Sequence, residues 1–371
     1  MVFTPCFAQP RVPPVVPNAT LLTLLLFTRH GARVPFQHWE SPDVKYEWHC
    51  GENYYKRNHR IPLVNGVPTN FSYNSSEKHS FGPSCNDGSL LDQGVQQHIN
   101  LGASFRKYLV DQTHLLPEQF NSQLIYVRSS YALRCIESGV AFIDGLYPPL
   151  SEGETLYVKT NDPDNEPLSP SPTIFKKKII EFRDTDYVKN HIERFDRMMQ
   201  PVADYFNITF HDPFEKILLG DFVNTFRCNE QPYPNDLVDP LLDMMLNDSA
   251  VFVDGFPRYV QPDTDKPLIE LLLNEIDAFY SGNKKSKFTL LSGHDMTLAI
   301  LLFGIGCEEL DVPPPFASHI SVEIWRLENI DYIRFVFNGD IIPLKGKDMI
   351  PYKEFKEEMN RKYQNNVTQE L

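Results

Sequence analysis

Apolar residues come along this chain in two patterns, short unbroken runs and three- or four-residue spacings, and the two alternate. Residues 21–27 carry a single threonine among apolar side chains, as expected of a strand covered on both faces. The run leads straight into Thr28-Arg29-His30-Gly31 with no small-residue cleavage site, so it reads as a strand and not as a signal segment. Residues 35–85 are rich in Asn, Ser, Gly, Pro, His and aromatics and read as long loops, an insertion spanning 36–92. Val95, Ile99, Gly102, Phe105 and Leu109 then recur at helical spacing. A second short strand at 124–127 ends at Arg128. A helix with Ile136, Val140, Ile143 and Leu146 on one face follows, stopped by Pro148-Pro149. Residues 151–172 are polar and proline-rich, a boundary. Residues 175–206 and 237–246 have amphipathic helical spacing with no strand pattern between them. Leu268, Leu271, Leu272, Ile276 and Phe279 share one helical face, closed by Gly282. A third strand at 288–291 precedes an apolar helix at 296–303, and 320–325 and 333–337 alternate like paired antiparallel strands. The pattern predicts an α/β fold: an open, mostly parallel sheet flanked by helices, built from 18–150 and 262–371, with a smaller helical cap at 151–261.

Composition narrows the chemistry. The 371 residues are 42% hydrophobic, enough for a sizeable core. Lys and Arg number 35 against 49 Asp and Glu, a net charge of −14. Such a field repels nucleic acid and anionic membranes, so neither is an expected partner. No run reaches the roughly 18 apolar residues of a membrane span. The six cysteines, at 6, 50, 85, 135, 228 and 307, form no C-x-x-C pair, and no H-E-x-x-H or phosphate-binding glycine loop occurs, so no metal or cofactor is expected. Cys50 and Cys85 both lie in the long loop region and are expected to pair; Cys135, on an apolar helix, is expected to remain a free buried thiol. Six N-x-S/T sequons, at Asn18, Asn70, Asn74, Asn207, Asn247 and Asn366, favour a secreted or lysosomal route through the secretory pathway. The start, residues 1–17, has the look of a truncated signal.

The unusual residues sit at three strand-to-helix corners. Ligands of an open α/β sheet bind outside the carboxyl ends of its strands. The first corner, Arg29-His30-Gly31-Ala32-Arg33-Val34-Pro35, sets a histidine between two guanidinium forks suited to phosphate oxygens. Cationic neighbours favour neutral imidazole, which is a nucleophile. The second supplies Arg128 with Ser129 and Ser130; Arg134, two helical turns on, reads as structural support. The third, Gly293-His294-Asp295, offers a phosphate donor and an acid, although an Asp at a helix start is also an ordinary N-cap.

The strand-R-H-G-x-R-x-P corner and the later H-D corner together resemble the acid-phosphatase branch of the histidine phosphatase family. Residues 126–130 resemble its arginine-serine-threonine corner, and 313–323 its later segment. The likeness runs from 21 to 344. Residues 158–160 and 164–170 look most like lysophosphatidic acid phosphatases. The resemblance implies a phosphomonoester hydrolase with an acid optimum. His30 would become phosphohistidine, and Arg29, Arg33, Arg128 and His294 would hold the phosphoryl oxygens. Asp295 would protonate the leaving alcohol. Tyr131 departs from the Asp or Asn usual after the arginine-serine run, which leaves the support of Arg128 unexplained. The substrate that the resemblance implies is a small phosphomonoester, lysophosphatidic acid among the candidates. The alternatives are a phytase-like inositol phosphatase, with Lys45, Lys56, Arg57, Arg60 and Lys78 at the mouth, and a non-catalytic phosphate-binding module. Aromatics between Phe36 and Phe81 form either a packed loop cluster or an apolar lip. A homodimer is compatible with the sequence.

Overall fold

The structure, a computed structural model, describes residues 6–36, 47–50, 60–68, 85–148, 154–210, 213–242, 255–259, 265–307 and 313–364. Among the described residues ten strands form one mixed sheet: β1 (Thr20–Arg29), β2 (Arg60–Val64), β3 (Val67–Pro68), β4 (Ile125–Ser129), β5 (Glu154–Lys159), β6 (Phe288–Gly293), β7 (His319–Leu327), β8 (Ile330–Phe337), β9 (Asp340–Ile342) and β10 (Ile350–Pro351). Their order is β10-β8-β7-β1-β6-β4-β5-β2-β3, with β9 on β8. The centre, β1-β6-β4-β5-β2, is parallel. Antiparallel strands extend it on both sides.

The open α/β sheet read from the sequence is present, and the unbroken apolar run at 21–27 has a direct cause. Leu24 and Leu26 pack with Phe105, Val140, Phe142 and Leu290 on one face. Leu25 and Phe27 pack with Leu272, Leu298 and Phe335 on the other. The first face is covered by α1 (Asp92–Arg106) and α2 (Leu133–Leu146). Over the second lie α6 (Asp265–Tyr280), α7 (Asp295–Gly304) and α8 (Tyr352–Gln364). Between β5 and α6 run α3 (Pro172–Arg183), α4 (Asp186–Tyr205) and α5 (Pro213–Cys228). Met199, Phe206, Phe222 and Phe226 of that segment pack with Val34, Trp48 and Phe316 of the sheet side.

Five strands escaped the sequence pattern, the short β9 and β10 near the chain end among them. β5 lies inside the span assigned to the helical cap, yet it pairs with β4 through Val127↔Val158 and Arg128↔Lys159. Its alternation is brief, with Leu156 and Val158 buried around the exposed Tyr157, and proline-rich flanks hide it. β2 and β3 lie inside the loop insertion, where Pro62 and Pro68 disguise a short hairpin near the sheet edge. The expected Cys50–Cys85 disulfide is formed, and a second joins Cys6 to Cys228. Cys135 is a buried free thiol. Of the sequons, Asn18 and Asn207 are exposed on left-handed turns; the other four lie outside the described residues.

Candidate active site

Parallel register brings the three corners together. Arg29 at the end of β1 stands beside Gly293 of β6, and Ser129 of β4 stands beside Ser292. The turn after β1 is pressed against the first turn of α1. A Cβ on Gly31 would meet the Gly94 carbonyl oxygen at 2.3 Å, and one on Gly94 would meet that of Ala32 at 2.3 Å. Only glycine lets the two backbones approach so closely.

His30 is buried, and its Nδ1–H donates to the Gly31 carbonyl at 2.9 Å. A carbonyl can only accept, so this bond places the proton on Nδ1 and leaves the Nε2 lone pair bare. Burial, then Arg134, Arg29 and Arg33, hold the imidazole well below its ordinary pKa, hence neutral. The guanidinium of Arg29 lies 4.3 Å from the centre of the Phe316 ring, donates to the Pro314 carbonyl and pairs with Asp295 at 2.9 Å. Arg33 donates through Nη2 to both oxygens of Asp221 on α5, at 2.9 and 3.1 Å. The Nε atoms of both arginines are buried without a hydrogen-bond partner.

At the third corner the helix N-cap position belongs to His294; Asp295 is the first residue of α7. Asp295 therefore does not serve as the ordinary cap. Its Oδ1 accepts from the Met296 N–H at 2.8 Å, and its side chain is 23% exposed, open to a ligand. Burial raises its pKa, but Arg29, with the Met296 N–H and Arg33, more than offsets this, so the free protein holds it as a carboxylate. His294 stands edge-on to His30, ring centres 5.8 Å apart. Its Nδ1 accepts from Arg134 Nη2 at 3.3 Å and its Nε2 contacts the Ser130 hydroxyl at 2.8 Å. Burial and then Arg134 push its pKa down, so the ring is neutral. Both nitrogens are engaged within the protein, and to donate to phosphate the ring must surrender one of these contacts.

Arg128 is the sequence-assigned residue that the structure does not bring into the cluster. Its Nε and Nη2 form a two-pronged pair with buried Glu166, at 3.0 and 3.1 Å. Burial opposes the charge, but Glu166 more than offsets this and raises the pKa. Glu166 also accepts the backbone N–H groups of Asn161 and Leu168, and the Leu168 carbonyl accepts the Thr297 hydroxyl. Thr297 in turn accepts the His294 N–H at 2.8 Å. Arg128 thus braces the loop behind His294, and Glu166 supplies the support that Tyr131 lacks. The third guanidinium at the site is Arg134, one turn into the corner. Sequence reading gave it only structural support because it lies five residues past the strand end. Helical geometry was the available signal, since the start of α2 aims back at the sheet edge. Asp221 and Phe316 were also missed, and nothing in their local sequence marks them. Among the described residues, no group of three or more His, Cys, Asp or Glu is placed to hold a metal ion. No described helix is long and apolar enough to cross a membrane.

Comparisons with known proteins give the family and the fold. Residues 20–338 match the family model of the histidine phosphatase superfamily (branch 2). The chain is 26% identical over 370 residues to counting factor 60 of Dictyostelium discoideum, covering 91% of this chain and 84% of that protein. It is 25% identical over 272 residues to human lysophosphatidic acid phosphatase type 6, covering 68% and 60%. Among solved structures, the phytase of Citrobacter braakii shares the fold with a TM-score of 0.64 at 15% identity, covering 92% of this chain and 98% of that one. On the match across 20–338, the chain belongs to branch 2 of the histidine phosphatase superfamily.

Proposed function

We propose that the chain is a phosphomonoester hydrolase that works through a phosphohistidine at His30. The observation that carries this is the bare Nε2 of a neutral, buried imidazole set among Arg29, Arg33 and Arg134. The Nε2 lone pair attacks phosphorus and the P–O ester bond breaks, with the three guanidiniums taking up charge on the equatorial oxygens. The leaving alkoxide takes a proton from Asp295. Water then attacks phosphorus and gives a proton to Asp295, the P–N bond breaks to free His30, and the proton leaves with the phosphate monoanion. Because Asp295 is ionised in the free protein, its proton must arrive with the substrate. A phosphomonoester has a second pKa of about 6, so its monoanion dominates in acid, and its charge neutralises the arginines that hold Asp295 down. Acid preference then follows from the substrate and not from a resting protonated Asp295.

The substrate reading is a small ester with an apolar leaving group, such as lysophosphatidic acid. Phe36, 40% exposed, lies against Arg33, and Met296 follows Asp295 and packs on the Phe182 and Phe256 cluster. The inositol-phosphatase alternative rests on the side chains of Lys45, Lys56, Arg57, Arg60 and Lys78, which lie outside the described ones. A route through the secretory pathway is supported by the two disulfides. Rapid quenching with radiolabelled substrate should trap an acid-labile, base-stable phosphoenzyme lost in His30→Ala; no trapped phosphate would refute the covalent route. Activity should also survive exhaustive chelation, since guanidiniums supply the positive charge. Loss in EDTA with recovery on adding zinc or magnesium would overturn that expectation.

A further inference from the structure

We propose that Phe36 is a positioning residue whose single ring holds two of the phosphate-binding guanidiniums in place. The Arg33 guanidinium carbon lies 3.8 Å from the centre of its ring, and that of Arg134 lies 5.0 Å away. Each cation meets the π system of the same ring. The two charges repel across a partly buried site, and each lowers the pKa of groups around it. An aromatic ring attracts cations through its quadrupole. A carboxylate placed there would do the same but would occupy N–H donors and cancel charge that a phosphate must meet. The ring orients the forks through its face and takes none of their in-plane donors. Among the described residues no carboxylate pairs with Arg134; its hydrogen bond is to neutral His294 at 3.3 Å. The backbone is built to admit the ring. Gly88 has φ +69°, donates to the Pro35 carbonyl at 3.0 Å, and lies so close that a Cβ there would meet Phe36 Cε1 at 2.8 Å.

This rests on the reading that Arg33 and Arg134 bind the phosphoryl group, and inorganic phosphate is the probe. Its inhibition constant, and kcat and KM on p-nitrophenyl phosphate, are measured for wild type, Phe36→Leu, Phe36→Tyr and a series with mono-, di- and trifluorophenylalanine at position 36. Phe36→Leu should raise the phosphate inhibition constant and lower kcat/KM by about 10-fold, most of it in KM. Phe36→Tyr should stay near wild type. Fluorination keeps the ring's shape and drains its face of charge, so affinity should fall stepwise along the series. A packing role would respond to leucine but not to fluorine. A flat fluorine series in folded protein overturns the inference, and so does a phosphate affinity unchanged in Phe36→Leu. Where Phe36→Leu does not fold, the fluorine series decides. A wild type that neither binds phosphate nor turns over ester fails the functional reading itself.

Discussion

Two buried charge clusters share this sheet and are built on opposite logic. At the carboxyl end of β1 stand Arg29, Arg33 and Arg134 against Asp295 and Asp221. Five residues back along the same strand, about 16 Å away, Leu24 pairs with Glu323 of β7, which faces Arg334 of β8. There one cation meets one anion, and the hydrogen bonds interlock. Glu323 accepts from Tyr108, Trp325 Nε1 and Arg334 Nε at 2.9, 2.8 and 2.7 Å. Arg334 also donates to the Pro14 carbonyl at 2.7 Å. At the first cluster three cations meet two anions, all three arginine Nε atoms are buried without a hydrogen-bond partner, and the neutral imidazole of His30 lies in the middle. A buried ion pair that exists for structure closes on itself. One that exists for a ligand leaves charge and donors uncommitted, at some cost in stability.

The largest effect that follows is on turnover at the open cluster. His30→Ala should reduce kcat by on the order of 10⁵-fold, as loss of a covalent nucleophile does elsewhere, while Tyr108→Phe at the closed cluster should leave kcat unchanged. Steady-state kinetics on p-nitrophenyl phosphate decides; a His30→Ala enzyme that retains a few per cent of activity removes the nucleophile. Next in size is Asp295→Asn. An alkyl alkoxide leaves poorly without a proton and nitrophenolate leaves readily. Glycerol-phosphate-like esters should therefore slow by about 10²- to 10⁴-fold and nitrophenyl phosphate by much less. Equal, large losses on both would make Asp295 an electrostatic group and not the acid.

The same contrast sorts the two arginines of the second corner. Arg128 belongs with the closed type, since Glu166 takes both its Nε and Nη2. Arg134 belongs with the open type. Arg134→Ala should cost about 10²-fold in kcat/KM with little change in unfolding midpoint. Arg128→Ala should leave kcat per folded molecule nearly intact and destabilise by about 3–5 kcal/mol, because Glu166 is left buried and unpaired. The reverse outcome in kinetics and thermal unfolding would return Arg128 to the site.

These two residues also mark how far the sequence could be read. His30, Arg29 and Arg33 were legible because a strand end fixes the direction of the next few residues, and His294 and Asp295 for the same reason. The choice between Arg128 and Arg134 was not legible, since it turns on Glu166, 38 residues further on, arriving opposite β4. Asp221 and Phe316 reach the site through tertiary packing alone. The sheet's parallel centre was visible where strands are unbroken apolar runs. β5 was not, because half its positions face away from the core and its flanks carry turn residues. The resting state of Asp295 was likewise out of reach: a helix start says where the carboxylate sits, not that Arg29 will lie 2.9 Å away.

The smallest expected effect concerns stability alone and separates the two clusters by pH. Behind the open cluster, His98 Nε2–H donates to the Arg29 carbonyl at 3.1 Å, and its Nδ1 has no hydrogen-bond partner. Burial pushes its pKa down to about 3, and that of nearby His319 down to about 4. In the unfolded chain both titrate near their ordinary value, about 6.5. Below that pH the unfolded state binds protons that the folded state refuses, so stability falls with acidification. The loss begins as pH drops through about 6.5 and continues to the folded values near 3 to 4. Asp295, held down by Arg29, adds a loss of the same sign at lower pH. The unfolding midpoint should therefore fall by several degrees between pH 6.5 and 4. His98→Gln keeps a donor for the Arg29 carbonyl and removes one titration beside those of His319, His30 and His294, so it should make that slope shallower. Tyr108→Phe removes one hydrogen bond from Glu323, and burial already holds that phenol far above the acid range. It should lower the midpoint by an amount corresponding to about 1 kcal/mol at every pH and leave the slope alone. A slope unchanged in His98→Gln would mean that the acid sensitivity arises elsewhere than behind the open cluster.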